Sequence, residues 1–217
     1  MALEVAVVGG HGKVALRLLR LLSERGDRAR GLIRNPDHAA DVEATGATAV
    51  GADVENLDAD AIARSIAGVD AVVFAAGAGA GSGPARKRTV DYGGAAKLIE
   101  AARMNDVSRY LLVSAIGVNH PERWSDEMRP YYEAKAEADR ELEESGLDYT
   151  IVRPGGLTDD AGSGLIAAAD DLGRYGKIPR ADVAATLVAC LDEPNTIRKA
   201  FDLLEGENPI PDALASL

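Results

Sequence analysis

Short apolar runs alternate with segments of helical periodicity along nearly the whole chain. Runs such as Leu3–Val8 and Val69–Ala75 are almost wholly apolar, which is typical of parallel strands that are covered on both faces. Between such runs, the segment Gly12–Glu24 carries apolar residues every three or four positions, as an amphipathic helix does. This repeated alternation predicts an α/β fold: a Rossmann-like, doubly wound parallel sheet with right-handed crossovers and helices on both faces.

The same pattern sets the bounds of the individual elements. The predicted strands are Leu3–Val8, Arg28–Ile33, Thr48–Gly51, Val69–Ala75, Tyr110–Ser114, Tyr149–Val152 and Ala200–Leu204. The predicted helices are Gly12–Glu24, one that opens at Asn35–Asp37, Leu57–Ala67, Thr89–Met104, Tyr131–Ser145 and Ala181–Asp192. The glycine-rich segment Gly77–Pro84 is predicted to be a flexible loop at the carboxyl end of a strand. Because no repeat or shift in composition divides the chain, residues 1–217 are predicted to form one domain, with a small substrate-side region from about residue 154.

Composition and charge narrow the possible functions. Hydrophobic residues make up 47% of the 217 positions, which is enough for a sizeable core. The net charge of −11 disfavours binding to nucleic acid or to an anionic membrane, because like charges repel. Cys190 is the sole cysteine and Met1–Gly10 lacks the basic start of a secretion signal, so a reducing, cytoplasmic location is expected. His11, His38 and His120 show no metal-ligand spacing, and no metal is expected.

A glycine-rich turn joins the first predicted strand to the first predicted helix. Gly9 permits a tight turn, Gly12 lets the backbone approach a pyrophosphate, and Ala15 occupies the position where helix and strand must pack closely. The N–H groups and the positive dipole end of the helix favour phosphate. With a strand before it and a helix after it, this spacing predicts a dinucleotide site. The predicted contacts are Gly9, Gly10, His11, Gly12, Lys13 and Val14.

The end of the second strand indicates which dinucleotide binds. Enzymes that use NAD usually place an acidic residue there to accept hydrogen bonds from the ribose hydroxyls, whereas the 2′-phosphate of NADP needs a cation. Here the strand ends in Ile33, Arg34 and Asn35 with no carboxylate, and Asp27 lies at the wrong end of the strand. Arg34 offers a planar fork of donors to a phosphate. The sequence therefore predicts NADP(H), with NAD(H) as the less favoured alternative.

With these residues, the sequence resembles the atypical branch of the short-chain dehydrogenase/reductase superfamily that includes NmrA-like proteins and flavin and biliverdin reductases. The glycine spacing and Arg34 match that branch. Further matching segments are Gly51–Val54, Phe74–Gly77, Val152–Thr158 and Ile178–Ala184. The resemblance implies an NAD(P)-binding Rossmann domain. It also implies cofactor contacts from Asp53 and Val54 near the adenine, from Ala75, Ala76 and Gly77 along the middle of the cofactor, and from Pro154, Gly155 and Gly156 near the nicotinamide.

Three residues resemble the superfamily's machinery for ketone reduction. Tyr131 and Lys135 form a Tyr-x-x-x-Lys pattern, and residues four apart share one face of a helix. The ammonium of Lys135 is expected to favour the phenolate form of Tyr131 and to reach the nicotinamide ribose. Ser114, at the end of the preceding strand, is expected to hold a substrate carbonyl oxygen while Tyr131 donates its proton. A helix-start tyrosine beside a solvated lysine is the alternative interpretation.

Two features depart from the superfamily's pattern. Asp91 stands where many relatives have the asparagine that supports the proton relay, so the resemblance does not extend to that relay. The loop Gly117–Pro130, between Ser114 and Tyr131, is extended. Its Trp124 either lines the substrate pocket or caps the core.

The leading hypothesis is an NADP(H)-dependent oxidoreductase that reduces a small carbonyl, quinone or flavin-like acceptor, with hydride chemistry supplied by the cofactor. An NmrA-like redox sensor is the non-catalytic alternative, and the presence of Ser114, Tyr131 and Lys135 argues against it. A sugar-nucleotide epimerase or dehydratase is less favoured, because the chain is short for the C-terminal substrate domain of such enzymes. The expected partner is a small-molecule substrate, and the expected state is a monomer or homodimer.

Overall fold

The computed structural model describes residues 2–79 and 81–217, in which nine strands form one mostly parallel sheet. The strands are β1 (Glu4–Val8), β2 (Arg28–Ile33), β3 (Thr48–Gly51), β4 (Ala71–Phe74), β5 (Arg109–Val113), β6 (Asp148–Pro154), β7 (Gly156–Thr158), β8 (Leu165–Ala169), β9 (Lys177–Pro179), β10 (Lys199–Glu205) and β11 (Asn208–Pro209). The sheet order is β3-β2-β1-β4-β5-β6-β10-β8-β11, and β7 pairs with β9 separately. The pairings from β3 to β10 are parallel, whereas β8 runs antiparallel to both β10 and β11.

Helices cover both faces of this sheet. They are α1 (Lys13–Arg25), α2 (Ala39–Glu43), α3 (Ala59–Ser65), α4 (Pro84–Arg86), α5 (Gly93–Met104), α6 (Arg129–Glu143), α7 (Arg180–Asp192) and α8 (Ile210–Ala215). A π-helical turn, Lys87–Tyr92, joins α4 to α5, and 3₁₀ turns lie at Pro36–His38, Pro121–Arg123 and Pro194–Thr196. None of the helices in the described ranges combines the length and the apolar character that crossing a bilayer requires.

The two faces of the sheet carry separate apolar layers, as the alternation along β1 shows. Val5 and Val7 face the layer that contains α1, α7 and α8, whereas Ala6 and Val8 face the layer that contains α3, α5 and part of α6. All four side chains are buried. Because side chains alternate in direction along a strand, a parallel strand that is covered on both faces consists of a continuous apolar run. The predicted Rossmann-like, doubly wound fold class is therefore confirmed.

Capping explains where some helices begin and end. Asp58 accepts the N–H of Ala61 at 2.8 Å, so α3 begins just after this cap and not at Leu57 as predicted. Gly26 adopts φ +91° and ends α1 in the left-handed conformation that glycine favours. Helix α6 begins two residues before the predicted start, with proline in its first turn.

The C-terminal region departs most from the sequence prediction. No element was predicted between Val152 and Ala181, whereas β6 extends to Pro154 and is followed by β7, β8 and β9. The elements β11 and α8 were also not predicted. Strand β8 consists of Leu-Ile-Ala-Ala-Ala, and alanine is a poor strand former. Pairing with β10 overrides that preference and gives the sheet an antiparallel edge.

The strand order reverses between β1 and β4, since β2 lies on one side of β1 and β4 on the other. Doubly wound sheets bind ligands outside the carboxyl ends of the strands at such a point. The segments that follow β1, β2, β4, β5 and β6 all leave the sheet at this edge. They carry Gly9, Arg34, Ala75, Ser114 and Gly155, respectively, so the fold places these sequence-selected positions at one edge.

Candidate functional site

A cavity of about 330 Å³, the first cavity, opens at the carboxyl ends of β1 and β4. Of the residues selected from the sequence, its lining includes Gly9, His11, Gly12, Arg34, Asp53, Val54, Ala75, Ala76 and Gly77. Lining residues that the sequence analysis missed include Asn35, His38, Glu55, Arg86 and Val90. Asn35 and Glu55 directly follow predicted contacts in the sequence, whereas His38, Arg86 and Val90 join them only in the fold.

The turn after β1 needs its two lining glycines for different reasons. Gly9 has φ +81°, in the left-handed region, and a Cβ there would lie 2.7 Å from the Cα of Ala76. Gly12 has ordinary backbone angles and donates its N–H to the Gly9 carbonyl at 2.7 Å. A Cβ on Gly12 would come within 3.1 Å of that same oxygen. The bare backbone of this turn therefore forms a cradle that a side chain would fill.

Helix α1 begins directly after this cradle. Gly12, its N-cap, provides no side-chain hydrogen bond, and no acidic residue lies in its first turn. The first N–H groups of a helix have no intrahelical partners and carry a partial positive charge. In the described part of the chain, the end of α1 that faces the cradle is thus open to an anionic ligand, as phosphate-binding helix termini are.

Three predicted contacts of the glycine loop lie outside the lining of the first cavity. Gly10 donates its N–H to the Leu32 carbonyl at 2.9 Å and packs against β2. Val14 is buried in the core. The Nζ of Lys13 lies 2.6 Å from Asp159 Oδ2. Gly10 and Val14 therefore position the loop, and Lys13 bonds the segment that follows β7.

Charged and aromatic groups gather at the outer end of the first cavity. Arg34 is more than half exposed, and its Nη1 lies 3.6 Å from Glu55 Oε2. The carboxylate of Asp53 accepts the N–H of Glu55 at 3.0 Å, which shapes the turn after β3. The rings of His11 and His38 stack with 3.6 Å between their centroids. The predicted phosphate-binding arginine is thus present, but a carboxylate lies next to it.

A second cavity, of about 780 Å³, extends from the first toward the carboxyl ends of β5 and β6. Ala75, Ala76 and Gly77 line both cavities, so the two are continuous along this wall. Six more of the sequence-selected residues line the second cavity: Ser114, Tyr131, Lys135, Pro154, Gly155 and Gly156. Lining residues that were not predicted include Lys87, Met128, Tyr132, Leu157, Tyr175 and Arg180.

Lys135 is buried between two acceptors. Its Nζ donates to the Val113 carbonyl at 2.9 Å and lies 3.4 Å from Asp91 Oδ1, and both charged side chains are at most 4% exposed. Asp91 Oδ2 accepts the N–H of Ala78 at 3.0 Å. Asp91 therefore links Lys135 to the loop after β4. Asp91 is thus the counter-ion of the lysine, and the alternative of a solvated lysine is wrong.

The environment of Tyr131 favours its neutral form. Burial raises the pKa of the Tyr131 phenol, Asp91 and Asp139 raise it further, and the Lys135 ammonium acts in the opposite direction. Lys135 lowers the pKa of Tyr131, as expected, but burial outweighs the lysine. Tyr131 therefore keeps its proton at neutral pH.

Ser114 has a buried hydroxyl at the carboxyl end of β5. Within the described ranges, its Oγ has no hydrogen-bond partner, so it does not bond to Tyr131. Buried hydroxyls are normally paired, and an unpaired one that faces a cavity is suited to a ligand oxygen. The structure thus brings Ser114, Tyr131 and Lys135 to one cavity without joining the serine to the tyrosine.

Asp139 extends the polar face of α6 by one more turn. Tyr131, Lys135 and Asp139 are spaced four apart and share this face. Arg153 Nε donates to Asp139 Oδ2 at 2.9 Å. Burial raises the pKa of Asp139, whereas the neighbouring charges of Arg153 and Lys135 lower it. The sequence analysis missed Asp139, although the four-residue spacing could have revealed it.

Aromatic side chains form the outer wall of the second cavity. Tyr132 and Tyr175 line it, and Trp124 stacks on Tyr132 with ring centroids 5.5 Å apart. Trp124 donates its Nε1–H to the Gly117 carbonyl at 2.9 Å. Trp124 lies behind the wall and not in the lining, so it fixes the extended loop and supports Tyr132.

Comparisons with known proteins place this site in a wider context. A family model described as NAD(P)H-binding matches residues 9–194. An uncharacterized sugar epimerase of Bacillus subtilis is 44% identical over 216 residues, which covers 99% of this chain and 100% of the relative.

Two solved structures share the fold over nearly their full length. One is described as an NAD-dependent epimerase/dehydratase from Bacillus halodurans; it has a TM-score of 0.94 and 35% identity, with 100% of both chains covered. The other is described as an anaerobilin reductase from Escherichia coli O157:H7; it has a TM-score of 0.80 and 26% identity, with 93% of this chain and 97% of that chain covered.

Proposed function

The chain belongs to the NAD(P)H-binding family, and from this membership we propose that it is an NADP(H)-dependent oxidoreductase of the short-chain dehydrogenase/reductase type that reduces a small carbonyl, quinone or flavin-like acceptor. One observation carries the proposal. The first cavity, with its backbone cradle, is continuous with a second cavity that is lined by the half-buried phenol of Tyr131 and by Ser114, whose hydroxyl has no hydrogen-bond partner among the described residues. A dinucleotide needs the cradle, and reduction of an acceptor needs a proton donor beside it.

The residues of the first cavity fit a dinucleotide. The cradle has no room for a Cβ at Gly9 and only a tight fit for one at Gly12, and the open end of α1 suits a pyrophosphate. Ala75, Ala76 and Gly77 would lie along the middle of the cofactor, because they border both cavities. Arg34 is the cation for the 2′-phosphate, and the second strand ends without the carboxylate that would favour NAD.

Hydride transfer is the chemistry that a bound NADPH supplies. The chain itself supplies a proton and orientation. Tyr131, kept neutral by burial, donates its proton to the acceptor oxygen, and the unpaired hydroxyl of Ser114 orients that oxygen. Lys135, fixed by Asp91 and by the Val113 carbonyl, provides a positive charge that stabilises the phenolate left behind.

The wall of the second cavity suits a flat acceptor. Tyr132 and Tyr175 offer aromatic faces, and Lys87 and Arg180 bring positive charge to the same lining. The likeness to an anaerobilin reductase supports the reduction of an acceptor.

The direct test is the oxidation of NADPH, followed by its absorbance, with a panel of quinones, flavins and small carbonyls. We expect turnover with at least one planar acceptor. We also expect NADPH to be preferred over NADH by about tenfold or more, since a charge-assisted phosphate contact contributes roughly that much. Tight NADPH binding with no turnover on any acceptor would favour the sensor alternative instead.

A sugar-nucleotide epimerase is the second candidate, because one relative is described as a sugar epimerase and another as an NAD-dependent epimerase/dehydratase. An epimerase oxidises and then re-reduces its own substrate, so it consumes no added NADPH. Incubation with nucleotide sugars, followed by proton NMR, tests it. The small elements that follow β6 favour the reductase, since they offer little surface for a nucleotide sugar.

A further inference from the structure

Glu55 draws two arginines to the outer end of the first cavity. Arg34, just after β2, has its Nη1 3.6 Å from Glu55 Oε2, and Arg86, in α4, has its Nε 3.2 Å from the same oxygen. All three residues line the first cavity. Because both guanidinium groups reach one carboxylate oxygen, they lie close enough together to share one phosphate.

Arg86 reaches this position from a distant part of the chain. It lies two residues after the glycine-rich segment Gly77–Pro84, which begins at the wall shared by the two cavities. The side chains of Arg34 and Arg86 are 56% and 38% exposed. Ion pairs with this exposure are weak, so either arginine can exchange Glu55 for a more highly charged partner.

Glu55 is held in place without the arginines. Thr89 donates its hydroxyl proton to Glu55 Oε1 at 2.8 Å. Lys97 donates to the Glu55 carbonyl at 3.0 Å and to the Leu57 carbonyl at 2.8 Å, which fixes the backbone of this turn. The carboxylate therefore keeps a partner when both arginines turn away from it.

We propose that Arg86 is the second cation of the 2′-phosphate subsite, and that Glu55 is the resident anion that the phosphate replaces as the partner of Arg34 and Arg86. The inference rests on the proposed use of NADP(H). A phosphate carries nearly two negative charges against one for a carboxylate, and it accepts the planar donor fork of arginine in the same two-pronged way.

This exchange gives Glu55 a distinct signature. Its carboxylate competes with the 2′-phosphate for the arginines and also repels the phosphate, so Glu55→Gln strengthens NADP binding. NAD lacks that phosphate, so its binding stays the same. If Glu55 instead accepted hydrogen bonds from the ribose hydroxyls, as the carboxylate of NAD enzymes does, Glu55→Gln would weaken NAD binding.

The test is calorimetric titration of the full chain with NADP⁺, NAD⁺ and adenosine 2′,5′-bisphosphate, which carries the phosphate without the nicotinamide. Arg86→Gln is expected to weaken the binding of NADP⁺ and of the bisphosphate about tenfold, and the binding of NAD⁺ less than twofold. Glu55→Gln is expected to strengthen the binding of NADP⁺ about threefold. The matched control is Arg88→Gln, because Arg88 is paired with Glu137 at 3.0 Å and lies outside the lining of both cavities.

The outcomes separate this inference from the proposed function. If Arg34→Gln abolishes the preference for NADP⁺ while Arg86→Gln behaves like the Arg88 control, the subsite is overturned and the proposed function stands. An equal loss of affinity for NADP⁺ and NAD⁺ in Arg86→Gln, or weaker NAD⁺ binding in Glu55→Gln, also overturns the proposed subsite. A wild-type preference for NAD⁺ overturns both.

Discussion

The two cavities of the site are built in different ways. The phosphate cradle of the first is backbone, and it comes from one continuous segment around Gly9 and Gly12. The reactive groups of the second are side chains: Ser114 follows β5, whereas Tyr131 and Lys135 lie on α6. A backbone cradle is set by local geometry and loses its ligand when an atom is added to it. A side-chain site is set by packing and loses stability or activity when a charge or hydroxyl is removed.

The largest expected effect is therefore at Gly12. Gly12→Val puts a branched side chain where a Cβ already comes within 3.1 Å of the Gly9 carbonyl oxygen. We expect NADP⁺ binding to fall by at least about a hundredfold, because the side chain occupies the position of the pyrophosphate. Calorimetry measures the binding, and circular dichroism checks the fold.

Gly51→Val is the matched control for this change. Gly51 ends β3, has open space around its Cβ position and lies outside the lining of both cavities. It should bind NADP⁺ like the wild type. Undiminished binding by Gly12→Val would place the phosphate site elsewhere.

The second expected effect is on stability, in the second cavity. Lys135→Met leaves Asp91 buried without its counter-ion, which typically costs about 3–5 kcal/mol. Denaturant unfolding measures the change. Asp91→Asn in the same background removes the unpaired charge and should recover most of the loss. If the free energy of unfolding of Lys135→Met lay within about 1 kcal/mol of the wild-type value, a structural role for this ion pair would be contradicted.

The third effect separates chemistry from binding. Tyr131→Phe should lower turnover by about a hundredfold with any accepted substrate and leave NADPH affinity nearly unchanged, because only the proton donor is lost. Tyr149→Phe is the control, since it removes a hydroxyl from β6 outside both cavities. Full turnover by Tyr131→Phe would mean that water or the acceptor supplies the proton.

The smallest expected effect concerns the rigidity of helix α7, whose first residue, Arg180, lines the second cavity. Cys190, on the same helix α7, is buried, and burial raises the pKa of its thiol to about 12. The native protein at pH 8 should therefore not react with a thiol reagent, because the thiolate is scarce and shielded. Unfolding should release full reactivity. Rapid labelling of the folded protein would show that α7 opens readily.

The sequence predicted the first cavity better than the second. The strand–glycine–helix pattern around Gly9 is local, so its spacing alone located the cradle. Glu55 and Arg86 meet Arg34 there only through tertiary contacts, and no spacing rule links them. The same limit applies to the fold: the parallel strands follow from apolar runs, whereas β8 depends on pairing with β10 and not on its alanine-rich composition.

In the second cavity, the sequence located the residues but not their ionisation. Helical spacing placed Tyr131 and Lys135 on one face of α6. Whether the phenol or the phenolate is favoured depends on burial and on the carboxylates of Asp91 and Asp139, which belong to the folded molecule. Spacing determines which side chains are neighbours, and desolvation determines their charge.

The account depends on one dinucleotide spanning both cavities, and a crystal structure of the chain with NADP⁺ tests this most directly. We expect the pyrophosphate at the Gly9–Gly12 cradle, the 2′-phosphate between Arg34 and Arg86, and the nicotinamide in the second cavity beside Tyr131. A cofactor bound in the first cavity with its nicotinamide directed away from Ser114 and Tyr131 would contradict the account.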